Sequence, residues 1–145
     1  MEKVKFQIKL KKNLDFIIFG LTGSILLILS EFFYWTSNYT LVDRFVIATR
    51  FEIEDSFFYL FPILGGIISL AACIIVVYDF KLRIKSVILT SVGIGFLLIF
   101  LIDFLSQEID YISSSGVGFY MFLTGFLLII INVINILSTK EKESG

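Results

Sequence analysis

The sequence predicts an all-α membrane protein: a four-helix transmembrane bundle with both termini cytoplasmic and a small β-like extracytoplasmic cap. Three observations predict it. Of the 145 residues, 57% are hydrophobic, and the mean hydropathy of +0.94 is too high for a soluble domain of this length. The apolar residues gather into four blocks, 14–35, 57–78, 86–105 and 117–137, each of about 20 residues and so able to cross a hydrocarbon core about 30 Å thick. The charges are asymmetric: sorting the loops by side puts ten of the twelve basic residues with the N-terminus, the 79–85 turn and the tail, leaving net +5 there and −6 opposite. Lys and Arg are retained in the cytoplasm, so this asymmetry and an even number of spans place both ends inside.

The leader, residues 1–13, alternates Val4, Phe6, Ile8 and Leu10 with Lys and Gln, as an interfacial strand or a frayed helix would. Its lysines set orientation and can also lie against anionic headgroups of the membrane lipids. The first block is too long for a cleaved leader and ends in Phe-Phe-Tyr-Trp, so it reads as a retained span. Within it Gly20 and Ser24 form a small-xxx-small pair, and Glu31 lies seven residues beyond Ser24 on the same side. Glu31 lies roughly 24 Å along the axis from Asp15, in the outer quarter of a bilayer. Two readings stand there: an intramembrane carboxylate that handles a cation or proton, or a group reaching water among Tyr34 and Trp35, which resemble an interfacial aromatic belt.

The outer loop 36–56 carries an alternation, Phe45, Ile47, Thr49, Phe51 and Ile53 against Arg44, Val46, Ala48, Arg50 and Glu52, which predicts a strand or hairpin over the bundle mouth. The second outer loop, 106–116, has Ile109, Tyr111 and Ile112 to extend it. Asn38-Tyr39-Thr40 is a glycosylation sequon. The second span opens under Asp55 and Ser56, and the only proline, Pro62, is expected to kink or restart that helix one turn in. Gly65, Ser69, Ala72 and the single Cys73 then make a light stripe. The short 79–85 turn makes the second and third spans antiparallel neighbours. The third carries Ser86, Thr90 and Gly93 on one side and ends near Asp103, about 27 Å from Lys85 and again at the outer rim. In the last span Gly118, Gly125 and Asn132 recur every seven residues, a stripe that invites another helix, because close backbone approach drives association in lipid. The tail, 138–145, is polar and has the composition of a disordered end.

With no histidine, and with every lysine at the inner surface, the sequence has no nucleophile–base pair, so an enzyme is not expected. One cysteine and no histidine exclude the usual zinc and haem ligand sets, and no phosphate-binding or nucleic-acid signature is present; no cofactor and no nucleic-acid partner are expected. The expected partners are membrane lipids and either another protein or a second copy of the chain. Glu31 and Asp103, at similar depth, are the candidate outer polar site.

Four spans with both ends inside, a longer first outer loop, a tight basic inner turn and a last span opening on Gly118-Phe119-Tyr120 and continuing to Gly125 resemble the claudin and peripheral-myelin-protein superfamily in layout. The Gly-x-Gly-Phe-Tyr entry and the Ile and Phe bias also resemble small uncharacterised prokaryotic four-span membrane proteins, which would place the chain in a prokaryotic plasma membrane. Neither resemblance implies a catalytic residue. Two functions are expected: a non-enzymatic scaffold or accessory subunit working through helix–helix and outer-loop contacts, or a small transporter or channel whose outer vestibule is lined by Glu31 and Asp103.

Overall fold

A computed structural model describes residues 1–4, 17–36 and 38–139. The lysine-rich leader falls largely, and the polar tail mostly, on residues 5–16 and 140–145, outside the described residues. The chain is mostly helical. A π-helical turn, Ile17–Leu21, leads into α1 (Thr22–Ser30); strands β1 (Tyr34–Thr36) and β2 (Tyr39–Thr40) follow, then α2 (Leu41–Ala48), α3 (Ile53–Ser56) and a 3-10 turn, Phe57–Leu60. The long helices are α4 (Phe61–Tyr78), α5 (Arg83–Glu108) and α6 (Val117–Ser138), with 3-10 segments at Phe80–Leu82 and Ile109–Ser114. Three helical runs, Ile53–Tyr78, Phe80–Glu108 and Val117–Ser138, are long and apolar enough to cross a membrane; Ile18–Ser30 is a shorter apolar helix.

Pro62 occupies the first turn of α4, where its missing N–H would have had no partner in the helix. The expected restart one turn into the second block is therefore found. At the far end of α4, Asp79 N donates to Ile75 O and the Asp79 carboxylate accepts from Lys81 N at 3.0 Å, which turns the chain directly into α5. Arg83 then donates to the carbonyl of Thr139 and lies 5.5 Å from the Phe80 ring, tying this turn to the end of α6.

The loop expected to be a strand is corrected. Residues 41–48 are the helix α2, and the only two strands among the described residues are the short antiparallel pair β1 and β2, just before it. The cause is local: Thr40 and Asp43 form a capping box, with Asp43 N donating to Thr40 Oγ1 at 3.1 Å and Thr40 N donating to Asp43 Oδ2 at 3.0 Å. Leu41, Phe45 and Ala48 also recur at helical spacing, so the same residues satisfy both periods and the cap decides. Residues 106–114 give the end of α5 and a 3-10 segment in place of the added strand.

Asp43 carries a pH prediction. Its hydrogen bonds to the Thr40 backbone and hydroxyl hold the carboxyl below its ordinary 3.8. A lowered value means that the cap stabilises fully above the ordinary value and is lost as pH falls through the lowered one. Acid titration followed by NMR should place the Asp43 midpoint below 3.8, and the stability difference between the protein and Asp43→Ala should shrink through that midpoint; a difference independent of acid would exclude the box.

The apolar helices pack in cyclic order: α1 on α4 and α6, α4 on α5, and α5 on α6. Two glycine pairs bring helix backbones into direct contact. A methyl added at Gly125 would lie 2.7 Å from the carbonyl oxygen of Gly23, and one at Gly23 would lie 2.9 Å from that of Gly125, so α1 and α6 touch through backbone. Gly65 and Gly93 do the same for α4 and α5, each 3.1 Å from the other's carbonyl by that measure. The main core is aromatic and sits at the cap end, where Trp35 joins Leu27, Leu41, Leu97, Phe100, Phe104, Phe119 and Phe122 in one buried cluster. A smaller cluster of Val76 and Ile136 closes the opposite end.

Candidate functional site

The small residues singled out from the sequence occupy helix contacts. Gly20 faces Cys73 of α4 and Asn132 of α6, so three elements meet there. Ser24 returns its hydroxyl to Gly20 O at 2.7 Å and is fully buried. Gly65 and Ser69 both lie against α5: Gly65 beside Leu97, Ser69 Oγ beside Gly93. Ala72 is buried and its carbonyl accepts from Ser86 Oγ of α5 at 2.7 Å, a hydrogen bond between helices. Gly118 lies under Phe33 O and the Trp35 indole. Asn132 is buried, and its Oδ1, like Ser69 Oγ, has no hydrogen-bond partner among the described residues.

Glu31 occupies the sharpest electrostatic position in the fold. The π-turn and α1 carry the chain to it from one end of the molecule, and the helix stops at Ser30, short of the expected end at residue 35. Glu31 is fully buried, contrary to the reading in which it reaches water. Its Oε1 accepts from Ile63 N of α4 at 3.1 Å, and its peptide carbonyl receives Val42 N of α2 at 3.5 Å. The start of α4 explains the first contact. Phe61 N donates back to Phe58 O, Pro62 has no N–H, and Ile63 is the next amide, still in the first turn where partners are lacking. A carboxylate reaching in from another helix fills that gap and meets the positive end of the α4 dipole. Its second oxygen, Oε2, has no partner among the described residues.

Asp103 sits elsewhere. It is half-buried, and both its carboxylate oxygens accept from Gln107 Nε2, at 3.1 and 3.0 Å. It lines a pocket of about 440 Å³ with Glu52, Asp55, Phe51, Phe58, Tyr59, Ala48 and Gln107. No hydrogen bond or ion pair among the described residues joins Asp103 to Glu31, and Glu31 does not line this pocket. The two carboxylates named together from the sequence are thus separate features: one a buried junction, the other one wall of an acidic, aromatic-sided hollow. Among the described residues no group of three or more His, Cys, Asp or Glu side chains is arranged to hold a metal ion.

Beside the pocket, Arg44 of α2 donates to Glu108 Oε1 at 2.7 Å and to Thr36 Oγ1 at 3.1 Å, and its guanidinium lies 6.0 Å from the Phe104 ring centroid. The pair is mostly shielded, with 17% and 21% of the two side chains exposed, so it outweighs an ordinary surface ion pair in holding the cap helix to the end of α5.

Trp35 also departs from expectation. It is fully buried, not part of an interfacial belt, because β1 folds it back over the helix ends. Its indole N–H donates to Ser30 O at 2.7 Å, and the rings of Phe100, Phe104, Phe119 and Phe122 lie with centroids 5.2 to 5.7 Å away. Sequence reading passed over Gly23 and Gly66 and took Gly116 only as part of the entry to the last span, yet all three press on a neighbouring segment; Gly116 abuts the Tyr34 carbonyl, and its N–H donates to Trp35 O at 2.8 Å. Asn38 is exposed at the turn between β1 and β2, while the sequon threonine, Thr40, is committed to the cap of α2. Compared with protein-family models, with curated proteins and with solved structures, the chain finds no match in any of the three.

Proposed function

We propose that the protein is a four-span integral membrane protein with both termini cytoplasmic, acting as a non-enzymatic scaffold or accessory subunit. Three helical runs already have the length and apolarity to cross a membrane. The fourth span is the apolar block 14–35 of the sequence, of which Ile18–Ser30 is a shorter apolar helix, and the charge asymmetry sets the orientation. The claudin-like layout fits the same arrangement.

The observation that carries the scaffold reading is the outward side of α5. Gly95 alone of the described glycines has nothing within 4 Å of where a side chain would begin, and Ser91, one turn before it, is exposed. Exposed Val92, Leu98, Ile99 and Ile102 flank them. The other helical glycines are spent on contacts within the chain; this one is open to a second helix. The acidic cap offers a second contact on the outer side.

Gly95→Leu tests this. Nothing inside the protein opposes the added side chain, so folding should be unchanged, while recovery of a partner or of the homo-oligomer after gentle solubilisation should fall. A lone monomer from gentle purification, or assembly indifferent to Gly95→Leu, would remove the reading. The acidic pocket favours the second reading, a small transporter or channel with an outer cation-attracting vestibule. In that case proteoliposomes carrying the protein should pass cations, and flux should fall with Asp103→Asn; no flux across a broad panel of ions ends that alternative.

A further inference from the structure

We propose that Glu31 is a proton-binding site, and that the proton it carries keeps the end of α1, the cap helix α2 and the start of α4 locked together. The inference stands apart from the scaffold reading and would hold equally for a transporter.

Placement comes first. Glu31 hydrogen bonds to two other elements at once, through its peptide carbonyl to Val42 of α2 and through Oε1 to Ile63 of α4, while itself ending α1. Solvation comes next. The residue has no exposed surface, and Oε2 meets no donor among the described residues. An ionised carboxylate is an acceptor at both oxygens; a neutral acid needs an acceptor's role at only one and carries its proton on the other. The observed asymmetry, one oxygen holding an amide and one holding nothing, matches the neutral form with the proton on Oε2.

Counter-charge is the third consideration. Neither α4 nor α6 contains a charged residue, and α1 contains none. On α2, Asp43 is closed into the capping box and Arg44 is committed to Glu108 and Thr36. On α5, Asp103 is tied to Gln107, and Glu108 is the partner of Arg44. In the turn and short helix between α2 and α4, Arg50, Glu52, Glu54 and Asp55 are exposed. No cation among the described residues therefore pairs with Glu31. One amide and one helix dipole do not replace the water that an ion loses on burial, and that loss is far larger than leaving a hydroxyl without an acceptor. The site holds the acid and cannot hold the anion. Raising the pH until the proton leaves forces the side chain toward water, breaks the Ile63 hydrogen bond and loosens the cap.

Two measurements on the full-length protein in detergent or lipid test the proposal. At neutral pH the infrared spectrum should contain the carbonyl stretch of a protonated carboxylic acid, lost in Glu31→Gln and kept in Asp103→Asn. Quenching of Trp35, the only tryptophan, by an aqueous quencher should rise several-fold as the pH is raised from neutral into the alkaline range and the cap loosens, and stay flat in Glu31→Gln, whose amide still accepts from Ile63 but cannot ionise. If Glu31→Gln does not fold, ¹³C-glutamate labelling of the unmutated protein decides, since the acid band must move to lower frequency. A spectrum with no acid band, a band that survives Glu31→Gln or ignores the label, or quenching in Glu31→Gln that still rises with pH overturns the proposal.

Discussion

Gly125→Leu should unfold the protein or leave it aggregated on extraction. The position allows no side chain: the first added carbon would meet Gly23 O at 2.7 Å and both the backbone nitrogen and Cγ of Leu27 at 3.1 Å. Two of these three neighbours are main-chain atoms, so relief by a rotamer change is closed and α1 must separate from α6. Overpacking a well-filled interior usually costs about 1–3 kcal/mol, and here the intruding group is several carbons larger than a methyl. The loss should therefore reach the upper end of that range or pass it, a large fraction of the ~5–15 kcal/mol that holds a typical domain together. Gly95→Ala serves as the control. It adds a carbon to the same kind of helix with nothing within 4 Å, and better helix propensity should make it neutral or stabilising by up to about 1 kcal/mol. Thermal unfolding followed by Trp35 fluorescence, with size-exclusion profiles alongside, checks both. Equal melting of the two variants would show that the α1–α6 contact does not support the fold.

Gly125 also shows how much could be read without coordinates. The seven-residue recurrence of Gly118, Gly125 and Asn132 is a property of one helix, so the sequence contains the whole of it, and all three are buried. What lies opposite is a property of two helices. Gly20, on the π-turn, and Ser24, on α1, advertise a small-xxx-small pair, yet the backbone contact with Gly125 is made by Gly23, which lies between them. Helix ends were harder for the same reason. The charge-free run 117–137 nearly matches α6 because hydrophobicity alone bounds it. Residues 31–35 look like more of the first span, but the chain leaves the helix at Glu31 to serve α4, which needs an acceptor only because Pro62 and its turn sit there. The cap helix was legible in principle from Thr40-x-x-Asp43, but a regular alternation in the following residues spoke louder than one capping pair. The pocket at Asp103 requires Glu52, Asp55 and Tyr59 to be brought beside α5, and no local pattern specifies that meeting.

Trp35→Ala should be the most damaging truncation in the cap. An indole beside a run of apolar residues has two fates, lying at a membrane interface or folding inward, and the energetics differ sharply. An interfacial ring would give up little on removal. The buried one leaves a void among Phe100, Phe104, Phe119 and Phe122, and also strips Ser30 O of its donor. Truncating a buried aromatic to alanine costs about 3–5 kcal/mol, and the stranded carbonyl adds roughly 1–3 kcal/mol when water cannot reach it. Trp35→Phe divides the two contributions: it keeps a ring in the cluster and loses only the N–H donor and part of the volume, so its loss should be the smaller. Phe32, three residues earlier and 57% exposed, supplies the comparison, and Phe32→Ala should change stability by less than about 1 kcal/mol. Because fluorescence disappears with the tryptophan, the series is followed by circular dichroism during thermal or denaturant unfolding in one detergent. The order Trp35→Ala, Trp35→Phe, Phe32→Ala from worst to mildest is the expected result. Were Trp35→Ala no worse than Phe32→Ala, the indole would belong at the surface, and the β1–β2 hairpin could not be what folds it over the ends of α1, α5 and α6.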